Sequence, residues 1–161
     1  MLKDKLLEVA KSEFKKGVKE TSRNRGPELA KYWTSTDYAD GMEDRQPWCA
    51  AFMCWVFQMA MLGRAFTFKR PTSARVFDWI EWSKEQDAST KTIMHPDHVL
   101  EGDIVIYNFS HIGIATCDSK AGHFDAIEGN TDDEGGREGI EVGHKKNRSV
   151  SDVRAVIRLM V

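Results

Sequence analysis

The chain is short of everything that would staple or anchor it. Three cysteines in 161 residues cannot all pair, and Cys49 and Cys54 lie too far round and along one helical pattern to bridge each other. This excludes a disulfide framework and predicts reduced thiols, as from synthesis in a cytosol. No uninterrupted apolar run reaches the roughly 18 residues that span a bilayer, so membrane insertion is not expected. With 23 Lys and Arg against 25 Asp and Glu, the net charge of −2 leaves no polybasic tail and no case for nucleic acid. The opening residues, Met1-Leu2-Lys3-Asp4-Lys5-Leu6-Leu7-Glu8, are amphipathic and carry acids. They lack the apolar core and cleavage site of a secretory signal, so the expectation is synthesis in the cytoplasm without a signal peptide.

What remains is an ordinary soluble composition, 41% hydrophobic and 30% charged. The length suits one domain over residues 1–161, large enough to bury a core unaided. No internal repeat, low-complexity tract or linker interrupts it.

Leu2, Leu6, Leu7, Val9, Ala10, Phe14 and Val18 recur at helical spacing, which predicts a helix over 2–16. A polar loop from Glu20 to Gly26 precedes Pro27, which suits the first turn of a short helix carrying Ala30, Tyr32 and Trp33. From Trp48 to Leu62 the chain is apolar on nearly all sides, the pattern of a central buried helix. Thr72 or Ser73 can cap a further helix whose inner face takes Val76, Phe77, Ile80 and Trp79. After Pro96 the period becomes two, with strands expected at Ile104–Tyr107, His111–Cys117, Phe124–Glu128 and Val153–Met160 and a short one at Gly139–Val142. Helices first and an antiparallel sheet second predict an α+β domain.

Three segments carry chemistry. A thiol is a nucleophile only as the thiolate, which a helix N-terminus and a neighbouring imidazolium both favour. Pro47 and Trp48 suit a helix start, which places Cys49 in the first turn, where free backbone N–H groups can also serve an oxyanion. His111 begins a strand on which Gly113 and Ala115 share its face, and these small residues predict room there for the start of the cysteine helix. Glu128 and Asn130 lie two apart, on one face of an extended chain, where one can hold the imidazole and the other can support it or bind substrate. Each residue also has an ordinary structural reading: Cys49 as a small core hydrophobe, His111 as a backbone partner, Glu128 and Asn130 as a strand end. For Cys54 and Cys117 the core reading prevails, and no histidine has zinc-ligand spacing.

The pieces Pro47-Trp48-Cys49-Ala50-Ala51-Phe52, Glu101-Gly102-Asp103-Ile104-Val105, His111-Ile112-Gly113-Ile114 and Glu128-Gly129-Asn130 resemble CHAP-domain amidases and the broader NlpC-type papain-like cell-wall hydrolases. The likeness runs from about residue 17 to the C-terminus and rests on the joint order of short motifs. It implies a papain-like fold with N-terminal helices packed on a C-terminal antiparallel sheet, and hydrolysis of peptidoglycan amide bonds without a cofactor. The implied catalytic set is Cys49, His111, Glu128 and Asn130. Gln46 is a candidate oxyanion donor, with a loop residue facing water as its ordinary reading. Glu20, Arg23 and Asn24 are candidates for substrate contact, and Trp48 and Trp33 for lining the groove, with core packing as their default. Some relatives bind calcium before the cysteine, but Asp37, Asp40, Glu43 and Asp44 do not follow an EF-hand pattern, and a solvated acidic loop is the expectation. The resemblance places the protein's action in the periplasm or wall, as a phage endolysin or a delivered antibacterial effector with a cognate immunity protein. Rival readings are a non-catalytic papain-like binder of wall fragments or peptides, and a cytosolic cysteine peptidase or transferase acting on protein.

An activated nucleophile should stand apart from its sister thiols. Iodoacetamide should modify Cys49 well ahead of Cys54 and Cys117, read by peptide mass spectrometry, and equal labelling of all three counts against activation.

Overall fold

A computed structural model describes residues 1–131 and 139–161. Its architecture is α+β, with the helices leading and an antiparallel six-stranded sheet following. The helices are α1 (Leu2–Lys15), α2 (Ala30–Thr34), α3 (Cys49–Ala60) and α4 (Asp78–Lys84). The strands are β1 (Thr90–Met94), β2 (Ile104–Tyr107), β3 (His111–Ala115), β4 (His123–Thr131), β5 (Glu141–Ser149) and β6 (Val153–Leu159). They lie in the order β1-β6-β2-β3-β4-β5. Among the described residues no helix is long and apolar enough to cross a membrane.

The all-round greasiness of α3 has the expected cause. Phe52, Met53, Val56 and Phe57 are fully buried, each contributing about 1.5–3 kcal/mol by leaving water. One face of the sheet, with Ile104, Ile106, Ile112, Ile114, Ile127 and Ile157, shares this core with α3 and α1. The other face carries Val105, Tyr107, Ala115, Phe124, Ala126 and Val156 in a second cluster with Val99 and Val150. The central strands are therefore buried on both faces.

Several expectations are corrected here. Gly113 and Ala115 do not make room for α3, because they lie on the opposite face of the sheet. The helix presses on Gly129 of β4, where a Cβ would lie 2.6 Å from Phe52 Cβ. Gly113 admits a different neighbour: a Cβ there would lie 2.6 Å from Glu128 Cγ and 2.8 Å from Ile127 O. The predicted helix start at Thr72 or Ser73 is too early. Ser73 instead donates to Asp78 Oδ2 at 2.7 Å and accepts from Arg75 N at 3.1 Å, which keeps 73–77 as a wall leading into α4. β1 has no counterpart in the sequence reading, and β5 reaches Ser149, through residues expected to be loop. Both are the edges of the sheet, where charged side chains are favoured and the apolar alternation fades.

The first three helices are joined through a buried charge. Glu13 faces inward while Phe14 is partly exposed, against the simple apolar reading of that turn. Tyr32 Oη donates to Glu13 Oε1 at 2.6 Å, and Lys31 pairs with the same carboxylate. Lys31, Tyr32 and Lys16 more than offset the burial that would push the Glu13 carboxyl up, and hold it below its usual range. Tyr32 in turn stacks on Trp48, with ring centroids 5.7 Å apart, and meets Phe52 edge-on. This fixes the start of α3.

The contact at Gly113 generates a test. Gly113→Ala adds a Cβ that backbone and the Glu128 stem cannot both avoid, and should cost about 1–3 kcal/mol in urea denaturation. An unchanged midpoint would mean that the sheet relaxes around it.

Candidate active site

Local rules build each part of the site. Trp48 sits before α3 with non-helical dihedrals (φ −109°, ψ 15°), and no side chain caps the helix there. The first backbone N–H groups of α3 are consequently free of intrahelical partners, and Cys49 occupies that turn. β2 and β3 form a hairpin with a three-residue connection whose last residue, Ser110, has φ 57°, the left-handed position that such loops use. The hairpin makes Tyr107 and His111 direct cross-strand partners, and the pairing of Gly113 with Glu128 brings the carboxylate beside them.

His111 and Glu128 are fully buried. His111 Nε2 lies 2.8 Å from Glu128 Oε1. Among the described residues Nδ1 has no hydrogen-bond partner, yet the Cys49 thiol acts strongly on the ring. Burial by itself would lower the imidazole. The Cys49 side chain and then Glu128 outweigh burial and raise it to about 9.

Glu128 has two partners that sequence reasoning missed. Tyr107 Oη donates to Oε2 at 2.8 Å. Arg148 Nε donates to Oε2 at 2.9 Å, and its terminal nitrogen pairs with Oε1. Burial would push the Glu128 carboxyl up, but His111 and then Arg148 reverse this and hold it below its usual range. Burial and the Glu128 charge keep the Tyr107 hydroxyl well above its ordinary range, so it remains a donor. The guanidinium carbon also lies 4.9 Å from the Tyr107 ring centre and 5.6 Å from that of Phe109. Tyr107, Phe109 and His111 stack on one another with centroids 5.1–5.8 Å apart. The period-two pattern marks Tyr107 only as a strand residue, and Arg148 carries no signal because the basic stretch after Val142 reads as a loop.

Outside lies a cleft of about 860 Å³, with Cys49, Gln46, Pro47, Trp33, Tyr38 and Ser110 among its lining residues and the 73–78 segment as its other wall. Gln46 thus shares the cleft with the thiol, with Nε2 donating to Asp44 O at 3.3 Å. Trp48 does not line the cleft. It is fully buried, and its indole N–H donates to Glu20 Oε2 at 3.1 Å. The same Glu20 oxygen accepts from Asn24 N, and Asn24 Nδ2 donates to Arg45 O at 2.8 Å. Glu20, Asn24 and Trp48 therefore tie the 20–26 loop to the start of α3, away from the cleft lining, while Arg45 donates to Arg23 O. Asn130 is buried with φ 52°, and the pairing of β4 with β5 shifts between Glu128 and Thr131. The alternation expected to put Glu128 and Asn130 on one face is broken there. Among the described residues no cluster of His, Cys, Asp and Glu converges as a metal site, and Asp44 in the acidic loop accepts from Tyr38 Oη.

Comparison with known proteins yields no matching family model, no matching curated protein and no matching solved structure.

The raised imidazole links the site to stability. A group whose folded value exceeds its unfolded one contributes stability that is complete below the unfolded value, about 6.5 here, and is lost as pH rises through about 9. Thermal midpoints should accordingly fall between about pH 6.5 and 9 in the parent protein and much less in His111→Gln. Parallel profiles for the two proteins would show that the ring is not held charged.

Proposed function

We propose that this protein is a papain-like cysteine hydrolase that cleaves amide bonds in bacterial peptidoglycan. The observation that carries the hydrolase reading is the order Cys49, His111, Glu128 across α3, β3 and β4, with Glu128 on Nε2 and the thiol acting on the same ring. The cleft that reaches Cys49 supports access for a substrate chain. The choice of peptidoglycan rests on the motif resemblance around Cys49, Asp103, His111 and Glu128. That resemblance also motivates the two settings proposed for it, phage lysis and delivery as an antibacterial effector opposed by an immunity protein.

In this reading the Cys49 thiolate attacks the amide carbonyl carbon, and the oxygen takes up the negative charge beside the free N–H groups of the first turn of α3. The His111 imidazolium gives its proton to the departing nitrogen as the C–N bond breaks, which leaves a thioester and a free amine. Neutral His111 then takes a proton from water, whose oxygen attacks the thioester carbonyl. The C–S bond breaks, the carboxylic acid leaves, and the thiolate–imidazolium pair returns. Glu128 holds the ring and stabilises its charged form. Gln46, in the same cleft, is the side chain proposed to assist at the oxyanion.

Purified protein should release new amino termini from isolated sacculi, and mass spectrometry of the muropeptides identifies the bond. Cys49→Ala should abolish release, while Cys54→Ala and Cys117→Ala keep it. His111→Ala should lower the rate by roughly three orders of magnitude or more, and Glu128→Gln by less, since a neutral amide can still orient the ring. Substantial release by folded Cys49→Ala would remove the nucleophile. Fast Cys49 alkylation without any sacculus digestion would retain the mechanism and overturn the substrate.

A further inference from the structure

Among the described residues, Arg148 is the permanent cation on a carboxylate that otherwise meets a titrating imidazole and a neutral phenol. Its own side chain is only 12% exposed. It reaches both carboxylate oxygens in the bidentate manner that suits a guanidinium and not an ammonium. The rings of Tyr107 and Phe109 lie against it, 4.9 and 5.6 Å from the guanidinium carbon. Such a set of contacts is more than the orientation of an imidazole requires.

The reason lies in where the shared proton rests. In a dry site, an imidazolium bonded to a carboxylate can relax by proton transfer into a neutral imidazole and a neutral acid, because burial disfavours both charges. That relaxation moves the Nε2 proton to Glu128 and leaves a neutral imidazole, whose remaining Nδ1–H is a far weaker acid toward the departing nitrogen and which has no charge to hold the thiolate. His111 cannot prevent it, since it is the group losing the proton. Tyr107 donates a hydrogen bond but no charge. Arg148 opposes it, because protonating Glu128 would leave a buried guanidinium without its counter-ion. We propose that Arg148 is a positioning residue that keeps Glu128 ionised and thereby keeps the proton on His111. The proposal rests on Cys49 and His111 as the nucleophile–base pair and is independent of the substrate. Among the described residues, the groups facing Glu128 are His111 from β3, Tyr107 from β2 and Arg148 from β5, with Cys49 of α3 acting through the ring.

Alkylation of Cys49 by iodoacetamide reads the pair without any wall substrate. In the parent protein its rate should stay high well into the acid range. In Arg148→Met the acid limb should move up by about one pH unit or more, a roughly tenfold loss of rate at a fixed pH on that limb, with the fold checked by circular dichroism. Arg148→Lys, which keeps the charge but not the fork, should retain most of the acid limb. A parent acid limb in folded Arg148→Met overturns the proposal, as does an equal shift in Arg148→Lys and Arg148→Met. Should Arg148→Met not fold, carboxyl-carbon NMR of the parent decides: Glu128 should remain ionised below the usual carboxylate range, and protonation within or above that range overturns the proposal. Slow Cys49 alkylation in the parent itself would instead sink the nucleophile assignment.

Discussion

A negative charge on the interior face of a sheet cannot be left to water, and the Glu128 carboxylate imposes that condition on much of this molecule. Among the described residues, four hydrogen bonds or ion-pair contacts reach it, from β2, β3 and β5. Gly113 lacks a side chain where the Glu128 stem passes, and Tyr107 and Phe109 support the guanidinium that shares the charge. Removing one partner from such a set costs more than a surface pair would, because the remaining charge stays buried. The pairing of β2, β3, β4 and β5 is thus held to one register by polar demand as well as by apolar alternation.

The same charge connects fold to chemistry. Once Glu128 is fixed by the sheet, His111 has its Nε2 occupied and its other nitrogen committed to whatever lies beyond the start of β3. What lies there is the first turn of α3, held by a separate polar anchor, Glu13 with Tyr32 and Lys31, and by the stacking of Tyr32 on Trp48. Two buried carboxylates on different elements therefore set the two halves of the site. Trp48, Glu20 and Asn24 belong to the second anchor: they position the helix that presents the thiol and do not form the cleft.

Polar residues in buried places explain where sequence reasoning went astray. Glu13 looks like a solvated helix face until Tyr32 and Lys31 are brought to it. The run from Gly143 to Ser149 looks like a charged loop because β5 is an edge strand with partial exposure. Thr90–Met94 escapes for the same reason at the other edge. Gly113 is conspicuous as a small residue, but periodicity alone does not say which neighbour needs the space.

Period and order in the sequence determined the helical first half, the central strands β2, β3, β4 and β6, and the alignment of Cys49, His111 and Glu128 along the chain. These are local properties, since a buried helix needs apolar residues all round and a buried strand needs them in a short run. Only the tertiary structure decided that Arg148 closes on Glu128 from twenty residues away, that Gly129 and not Gly113 meets α3, and that Trp48 faces inward. Those outcomes depend on strand order, register and the satisfaction of buried charge, which are relations between distant residues and leave no periodic trace in the chain.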